Sequence, residues 1–407
     1  MIMNHKLKLL PALSLEMVRY VAGLGISNPT REDVVKGLLS WVGHNFSSDF
    51  PAGFLDINHL GGGTAAYYPE TSGYWINTFL ALARMAGRAS SAFAGEHRCM
   101  DFGESAAKTA ETLINIQAPS GGMPSRINST TVRVFNTAQV LLGWTDLCRY
   151  HRESDGPEDA RLHSAINKAT DFLINSQEND GSWRGDVTYA GARTYHARVA
   201  WSLYEAAEVV NRHDAKSAAD LSLRWVLGRY TGRGFARMGF TSGEANTHCI
   251  GYLMRGLTES LRFVEGELRG LLLETLAQFY AKFYCESKRY LRDNRGKLLA
   301  GYWDEKALTP IKSASCLTGN YQIAIALYTA HSYLPGMDLK ALADSLVDGS
   351  NRTQIRASAP KAIANGIYGS YPPWGRYVRL GVPNWAVKFA LDANLISLYP
   401  GDYEIRG

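Results

Sequence analysis

Leu173-Ile174-Asn175-Ser176-Gln177-Glu178-Asn179-Asp180-Gly181-Ser182-Trp183 is the stretch from which the fold can be read. An earlier copy, Leu113-Ile114-Asn115-Ile116-Gln117, runs into Ala118-Pro119-Ser120-Gly121-Gly122, with its Gln 60 residues before Gln177. That interval is the length of two helices and two loops, so the repeating unit is a helical hairpin. The glycines are expected to end each outer helix in the left-handed backbone conformation that other residues resist.

Outward from the repeat, helical periodicity dominates and alternating strand patterns are hard to find. Residues 31–46 place Val34, Val35, Leu38, Leu39, Val42 and Phe46 at helical spacing. Residues 102–117, 160–176, 214–230, 266–286 and 337–348 read the same way, as amphipathic helices with charged outer faces. Residues 70–88, 135–151, 195–211, 245–264, 317–333 and 383–398 are apolar on more sides. Half-exposed helices alternating with buried ones are what hairpins stacked into a closed double ring produce. The expectation is an all-α (α/α)6 toroid of six hairpins, one domain over residues 1–407 with no linker dividing it.

Composition excludes several function classes. The apolar fraction of 46% and charged fraction of 20% are those of a soluble globule. A net charge of +5 tolerates an anionic substrate but does not imply nucleic acid, and no basic run is interleaved with aromatics. The five cysteines, Cys99, Cys148, Cys249, Cys285 and Cys316, show no CxxC spacing. They suggest neither a disulfide framework nor a zinc site, and fit a reducing compartment. Residues 1–10 lack the apolar run of a signal peptide, and nothing reaches membrane-spanning length. The expected setting is cytoplasmic, without membrane insertion. Gly61-Gly62-Gly63 has neither GxGxxG spacing nor a following Lys-Ser/Thr, so no nucleotide cofactor is implied. His196 and His248 lack HxxxH or HxxE spacing, so no metal is implied either.

The starts of the six apolar helices carry the candidate chemistry. If those helices point the same way round the ring, their N-termini converge on one mouth. His248 follows Asn246 and precedes Tyr252 by one turn; it is a candidate proton-transfer group or, alternatively, a structural histidine. Tyr195 and Arg198, three apart, can share a helix face, where Arg clamps a carboxylate and Tyr passes a proton. The alternative is an Arg198 paired with Glu205 or Asp186. Tyr68 and Glu70, with Tyr67 and Tyr74 nearby, bring phenols and a carboxylate to the first inner helix, where Glu also suits the helix dipole. Asn136, Asn246, Asn320 and Asn384 are each candidate N-caps that could also hydrogen-bond a sugar. Asp304, beside Glu305, and the aromatics Trp374 and Trp385 complete the candidate substrate-binding set, with aromatic faces able to stack on sugar rings.

Gln177-x-x-x-Gly181-x-Trp183 resembles the QxxxGxW repeat of squalene-cyclase and prenyltransferase-like toroids, where the motif ties neighbouring hairpins together. The first copy departs from it, with Met123 in place of Trp. The acid motif DxDD and the metal motif DDxxD of terpene cyclases are both missing, which speaks against that chemistry. Tyr68-Pro69-Glu70-Thr71-Ser72-Gly73-Tyr74, Thr247-His248-Cys249-Ile250-Gly251-Tyr252, Cys316-Leu317-Thr318-Gly319-Asn320, Gly369-Ser370-Tyr371-Pro372-Pro373-Trp374-Gly375 and Pro383-Asn384-Trp385 resemble a bacterial group of toroids associated with polysaccharide biosynthesis. The Tyr-Pro-x-Thr segment is also similar to the helical domain of glucuronyl C5-epimerases.

The resemblance implies a carbohydrate-active enzyme acting on a uronate or other anionic oligosaccharide or polysaccharide. Neutralising a sugar carboxylate acidifies the C5 proton, and His248 or a Tyr could remove it. Reprotonation on the other face is epimerisation, and loss of the C4 substituent is β-elimination. Toroid lyases use Asn, His, Tyr and Arg for this, all available here by type. Two alternatives stay open: hydrolysis by paired carboxylates such as Glu70 and Asp304, and a glycan-binding toroid without catalysis.

Overall fold

Capping side chains start four of the outer helices. Thr30 accepts from the Asp33 amide at α1 (Arg31–Asn45), and Asp101 from the Glu104 amide at α3 (Phe102–Asn115). Asp159 and Asp338 do the same at α5 (Ala160–Asn175) and α11 (Leu339–Asn351). Such caps satisfy amides that have no partner inside the helix. The remaining outer helices are α7 (His213–Leu227) and α9 (Gly266–Asp293). Between them run the inner helices α2 (Pro69–Gly87), α4 (Val134–Glu153), α6 (Ala197–Val209), α8 (Thr247–Ser260), α10 (Leu317–His331) and α12 (Asn384–Leu398). This computed structural model describes residues 29–59, 66–87, 100–154, 159–189, 191–241, 243–294, 296 and 298–403. Residues 1–10, Gly61, Gly62, Gly63 and Cys99 lie outside them.

Consecutive inner helices pack on one another, and α12 packs back on α2, which closes the ring. Each inner helix is backed by the outer helix that follows it, while α12 is backed by α1. The inner helices are buried on nearly every side, as their all-round apolar sequences require. Gly73 and Gly143 let α2 and α4 approach closely: a Cβ on Gly73 would lie 2.7 Å from the Val140 Cα, and one on Gly143 2.7 Å from the Gly73 carbonyl.

Both copies of the repeat do the same work. Gln177 Nε2 donates to the carbonyls of Gly181 at 3.1 Å and Ala218 at 2.9 Å, tying the loop after α5 to α7. Gln117 Nε2 donates to Gly121 at 2.9 Å and Ala165 at 3.0 Å, tying the loop after α3 to α5. Trp183 is buried and donates to the Leu173 carbonyl at 2.9 Å; Met123 fills the corresponding place in the first copy. The glycines differ from expectation. The helices end at Asn115 and Asn175 with Ile116 and Ser176 as C-caps, and the left-handed residues are Gly121 (φ 86°) and Gly181 (φ 88°), five residues beyond the caps. There they close tight turns, their amides donating to Ala118 and Glu178. A Cβ would stand 2.0 Å from the Lys168 carbonyl oxygen or 2.5 Å from that of Leu221, so a side chain is excluded on two counts.

Nine short strands of two or three residues, which the periodicity did not reveal, lead into the mouth among the described residues. Alternation needs about four residues before it becomes visible. β1 (Ile57–His59) pairs antiparallel with β9 (Gly381–Pro383), joining the chain ahead of α2 to the chain entering α12. β2 (Met123–Pro124) pairs with β3 (Val132–Arg133) before α4. β4 (Glu244–Asn246), β5 (Tyr302–Asp304) and β6 (Pro310–Ile311) form a sheet before α8, and β7 (Ser315–Cys316) pairs with β8 (Ser370–Tyr371) before α10. Among the described residues, no helix is long and apolar enough to cross a membrane. Cys249, Cys285 and Cys316 are free thiols.

Candidate functional site

The inner helices begin at a common mouth, where a cavity of about 570 Å³ opens. Six of the twelve candidate residues line it: Tyr68, Glu70, Asn136, Tyr195, His248 and Trp385. Unsatisfied helix-start amides make such a place favourable to anions. Arg126 and Arg133 add positive side chains to the wall. Aromatic surface is plentiful: Tyr189 stacks on Phe240 at 4.4 Å, and Trp385, which donates to Tyr377 Oη at 2.8 Å, stands edge-on to Tyr68.

Glu70 is the one carboxylate among the described residues that line this cavity. Tyr68 Oη donates to its Oε2, and Tyr74 Oη to its Oε1 at 3.0 Å. Tyr74 in turn shares a 2.7 Å hydrogen bond with the hydroxyl of Tyr252. Burial raises the Glu70 pKa above the usual carboxylate range, and the two phenols, Arg126 and Arg198 offset only part of that rise.

His248 sits in the first turn of α8, where the Asn246 side chain accepts from its amide at 2.8 Å. Its Nδ1 faces the side-chain oxygen of Gln322 at 2.5 Å, which puts the imidazole proton on Nδ1 and leaves Nε2 with its lone pair. Burial, together with the charge of Arg198, pushes the His248 pKa down to about 3, so the ring is neutral at physiological pH. The ring lies 4.2 Å from that of Tyr252 and 5.5 Å from that of Tyr377.

Other candidates are placed differently. Arg198 lies beneath the mouth, 1% exposed, with its Nε donating to Gln139 Oε1 at 2.5 Å and its guanidinium over the rings of Tyr74 and Tyr252. It pairs with neither Glu205 nor Asp186; Glu205 belongs to Arg149 and Arg262. Of the four asparagines, Asn246 alone is an N-cap. Asn136 and Asn320 fall inside their helices, and Asn384 is the first residue of α12, after Pro383. Asn320 bonds the Leu299 amide, Ser315 and the Cys316 carbonyl, while Asn384 bonds Trp75, Leu55 and Thr71; both are buried braces that do not reach the cavity. Asp304 Oδ1 accepts from the amides of Lys306 and Ala307 in the turn between β5 and β6, and Asp304 is not among the described lining residues. Glu70 and Asp304 are therefore not brought together in this cavity. Trp374 is half-buried outside the lining, and Tyr377 from the same loop takes the cavity position instead.

Tyr252, Tyr377, Gln322 and the rim arginines were missed as site residues. Tyr252 had a signal, because it stands four residues after His248 on one helix face. Gln322 had none, since it arrives from another helix. Among the described residues, no group of three or more His, Cys, Asp or Glu is placed to hold a metal ion.

No protein-family model matches the chain, and no curated protein matches it in sequence. Solved structures do match in fold. An unsaturated glucuronyl hydrolase from Bacillus sp. GL1, responsible for degradation of glycosaminoglycan, superposes with a TM-score of 0.61 at 13% identity, covering 93% of this chain and 99% of that one. A sugar epimerase from a ruminal bacterium gives 0.64 at 10% identity, covering 91% and 99%. A variant unsaturated glucuronyl hydrolase from Streptococcus agalactiae, complexed with dGlcA-GalNAc6S, gives 0.60 at 12% identity, covering 96% of each chain. At these identities the likeness establishes the α/α toroid.

Proposed function

We propose that this chain is a carbohydrate-active enzyme that takes a uronate-bearing oligosaccharide into the mouth and acts on it by proton transfer. The observation that carries the reading is the pairing of one buried, phenol-bridged carboxylate, Glu70, with a neutral imidazole, His248, in a single aromatic cavity. Aromatic faces such as Trp385 and Tyr189 suit sugar rings. Arg126 and Arg133 suit the sugar carboxylate, and neutralising it makes the C5 proton removable. His248 Nε2 or a lining phenol is then the base and Glu70, through its tyrosines, the acid. Return of a proton to the opposite face gives epimerisation; loss of the C4 substituent gives elimination. A role in polysaccharide synthesis rests on the sequence resemblance.

Hydrolysis has support at least as strong from the comparisons, since glucuronyl hydrolases share the fold. A protonated Glu70 would hand its proton to a leaving oxygen, and His248 would activate water. A second carboxylate facing Glu70, which the usual two-carboxylate mechanism uses, is not among the described lining residues. Proton NMR in D₂O with uronate-containing oligosaccharides separates the readings. Deuterium at C5 or unsaturated-sugar signals is the expected result; new reducing ends without C5 exchange would move hydrolysis to the front. Binding without turnover would leave a glycan-binding toroid.

A further inference from the structure

The ring of Tyr74 packs in the core, but packing does not account for what its hydroxyl bonds. Tyr74 is 1% exposed and does not line the cavity, yet its hydroxyl bridges Glu70 Oε1 at 3.0 Å and Tyr252 Oη at 2.7 Å. Tyr68 holds the other oxygen of the same carboxylate. Tyr68 and Tyr252 both line the cavity. One buried carboxylate therefore reaches the mouth twice, directly through one phenol and indirectly through two.

We propose that Glu70 is the hub of a two-armed proton relay, with Tyr68 as one arm and Tyr74–Tyr252 as the other, carrying a proton from one point of the mouth to another. The proposal rests on the proton-transfer reading above and deepens it, because exchange between two faces of a sugar carbon needs a donor and an acceptor at separate points. Each phenol has a single proton, so the direction of the chain follows the state of Glu70. With Glu70 ionised, Tyr74 donates to Oε1 and Tyr252 donates to Tyr74, which leaves Tyr252 an acceptor toward substrate. With Glu70 protonated at Oε1, the order reverses and Tyr252 becomes the donor.

In that protonated state the transfer balances. The substrate proton goes to the Tyr68 oxygen as the proton of Tyr68 passes to Glu70 Oε2. The Oε1 proton passes to Tyr74, that of Tyr74 to Tyr252, and that of Tyr252 to the other face of the substrate. Every phenol ends neutral and Glu70 ends protonated on its other oxygen. Negative charge passing along the long arm has a fixed counter-charge. The Arg198 guanidinium lies 5.2 Å from the Tyr74 ring and 5.6 Å from that of Tyr252. Its Nη2 has no hydrogen-bond partner, and no carboxylate among the described residues stands within ion-pair distance of it. The other groups facing the relay are Arg126 over Tyr68 and paired with Asp56 at 3.2 Å, His248, Tyr195 and Tyr377 about Tyr252, and Lys388, which is occupied by Asp392 at 2.7 Å. Tyr74 is thus a positioning residue, acting through its neighbours without touching substrate.

The test is carbon NMR of the full-length protein labelled at tyrosine Cζ, followed across pH without substrate, with Tyr68→Phe and Tyr252→Phe to assign the signals. Tyr68 and Tyr252 should shift together at one midpoint, that of Glu70. In Tyr74→Phe, Tyr68 should keep the transition and Tyr252 should lose it. A Tyr252 that ignores the transition in the wild type, or keeps it in Tyr74→Phe, overturns the relay. Should Tyr74→Phe fail to fold, Glu70→Gln serves: both signals must lose the transition, and its survival in either is fatal. Since no substrate is present, this outcome is separate from the D₂O experiment, whose failure bears on the proposed reaction.

Discussion

The two ends of the ring differ in a way that volume alone would misjudge. At the C-terminal ends of the inner helices lies a larger cavity of about 740 Å³, walled by Arg255, Glu259, Arg262, His331 and Lys340. Its charges are engaged within the protein: Arg255 pairs with Glu259 at 2.7 Å, Arg262 with Glu205 and Glu259, and Lys340 with Asp344 at 2.9 Å. Cations there also face the negative ends of the helix dipoles. The smaller mouth at the positive ends keeps bonding capacity unspent in the Nε2 lone pair of His248. Unspent bonding capacity, rather than empty space, is what separates the two cavities.

The largest expected effect breaks that comparison at the mouth. Glu70→Gln keeps the shape but removes the transferable proton, and turnover should fall by about 10²- to 10⁴-fold, the usual weight of a general acid or base. Thermal unfolding should be unchanged or slightly raised, because a buried carboxylate is lost. A variant that retains turnover would remove Glu70 from the chemistry. At the opposite end, Glu259→Ala removes the carboxylate that Arg255 and Arg262 share, the Arg255 and Glu259 side chains being about 6–7% exposed. Urea unfolding should report a loss of up to about 3–5 kcal/mol, with glycan binding at the mouth unaltered. Lost binding there without lost stability would mean the two ends work as one.

A smaller effect sharpens the comparison between two buried histidines. Burial holds both His248 and His196 down to about 3, from 6.5. Below pH 6.5 the unfolded chain takes up protons that the folded chain refuses, so stability falls with falling pH. The loss is up to about 1.4 kcal/mol per pH unit for each histidine, and it levels off near pH 3, where the folded rings charge. His196→Asn should flatten the slope of urea-derived stability between pH 6.5 and pH 5 by one histidine's share while sparing binding; His196 packs on Trp183 at 6.1 Å and lies outside the lining. An unchanged slope would mean that His196 is solvated and protonated in the folded protein.

The legibility of the site followed distance along the chain. Glu70, Tyr68 and His248 stood out because each is reactive and falls at the start of an apolar helix. The asparagines misled, since a cap must occupy the residue just outside the first turn, and three of the four fall a residue or more too far along. Asp304 looked free beside Glu305, but a turn between two short strands engages its Oδ1 twice and the residue does not line the cavity. Trp374 and Tyr377 share one loop, and nothing in composition says which of them faces the cavity.

The sequence by itself determined the ring of hairpins, the division into inner and outer helices, and the gathering of reactive side chains at one end. Those follow from periodicity and from the Gln-Gly ties, which are local and repeat. Tertiary structure alone decided which valences remain free. Gln322 reaches His248 from 74 positions away, and Tyr252 reaches Tyr74 across 178. A hydrogen bond between inner helices is set by how the ring closes, and a single helix carries no record of the partner it will face.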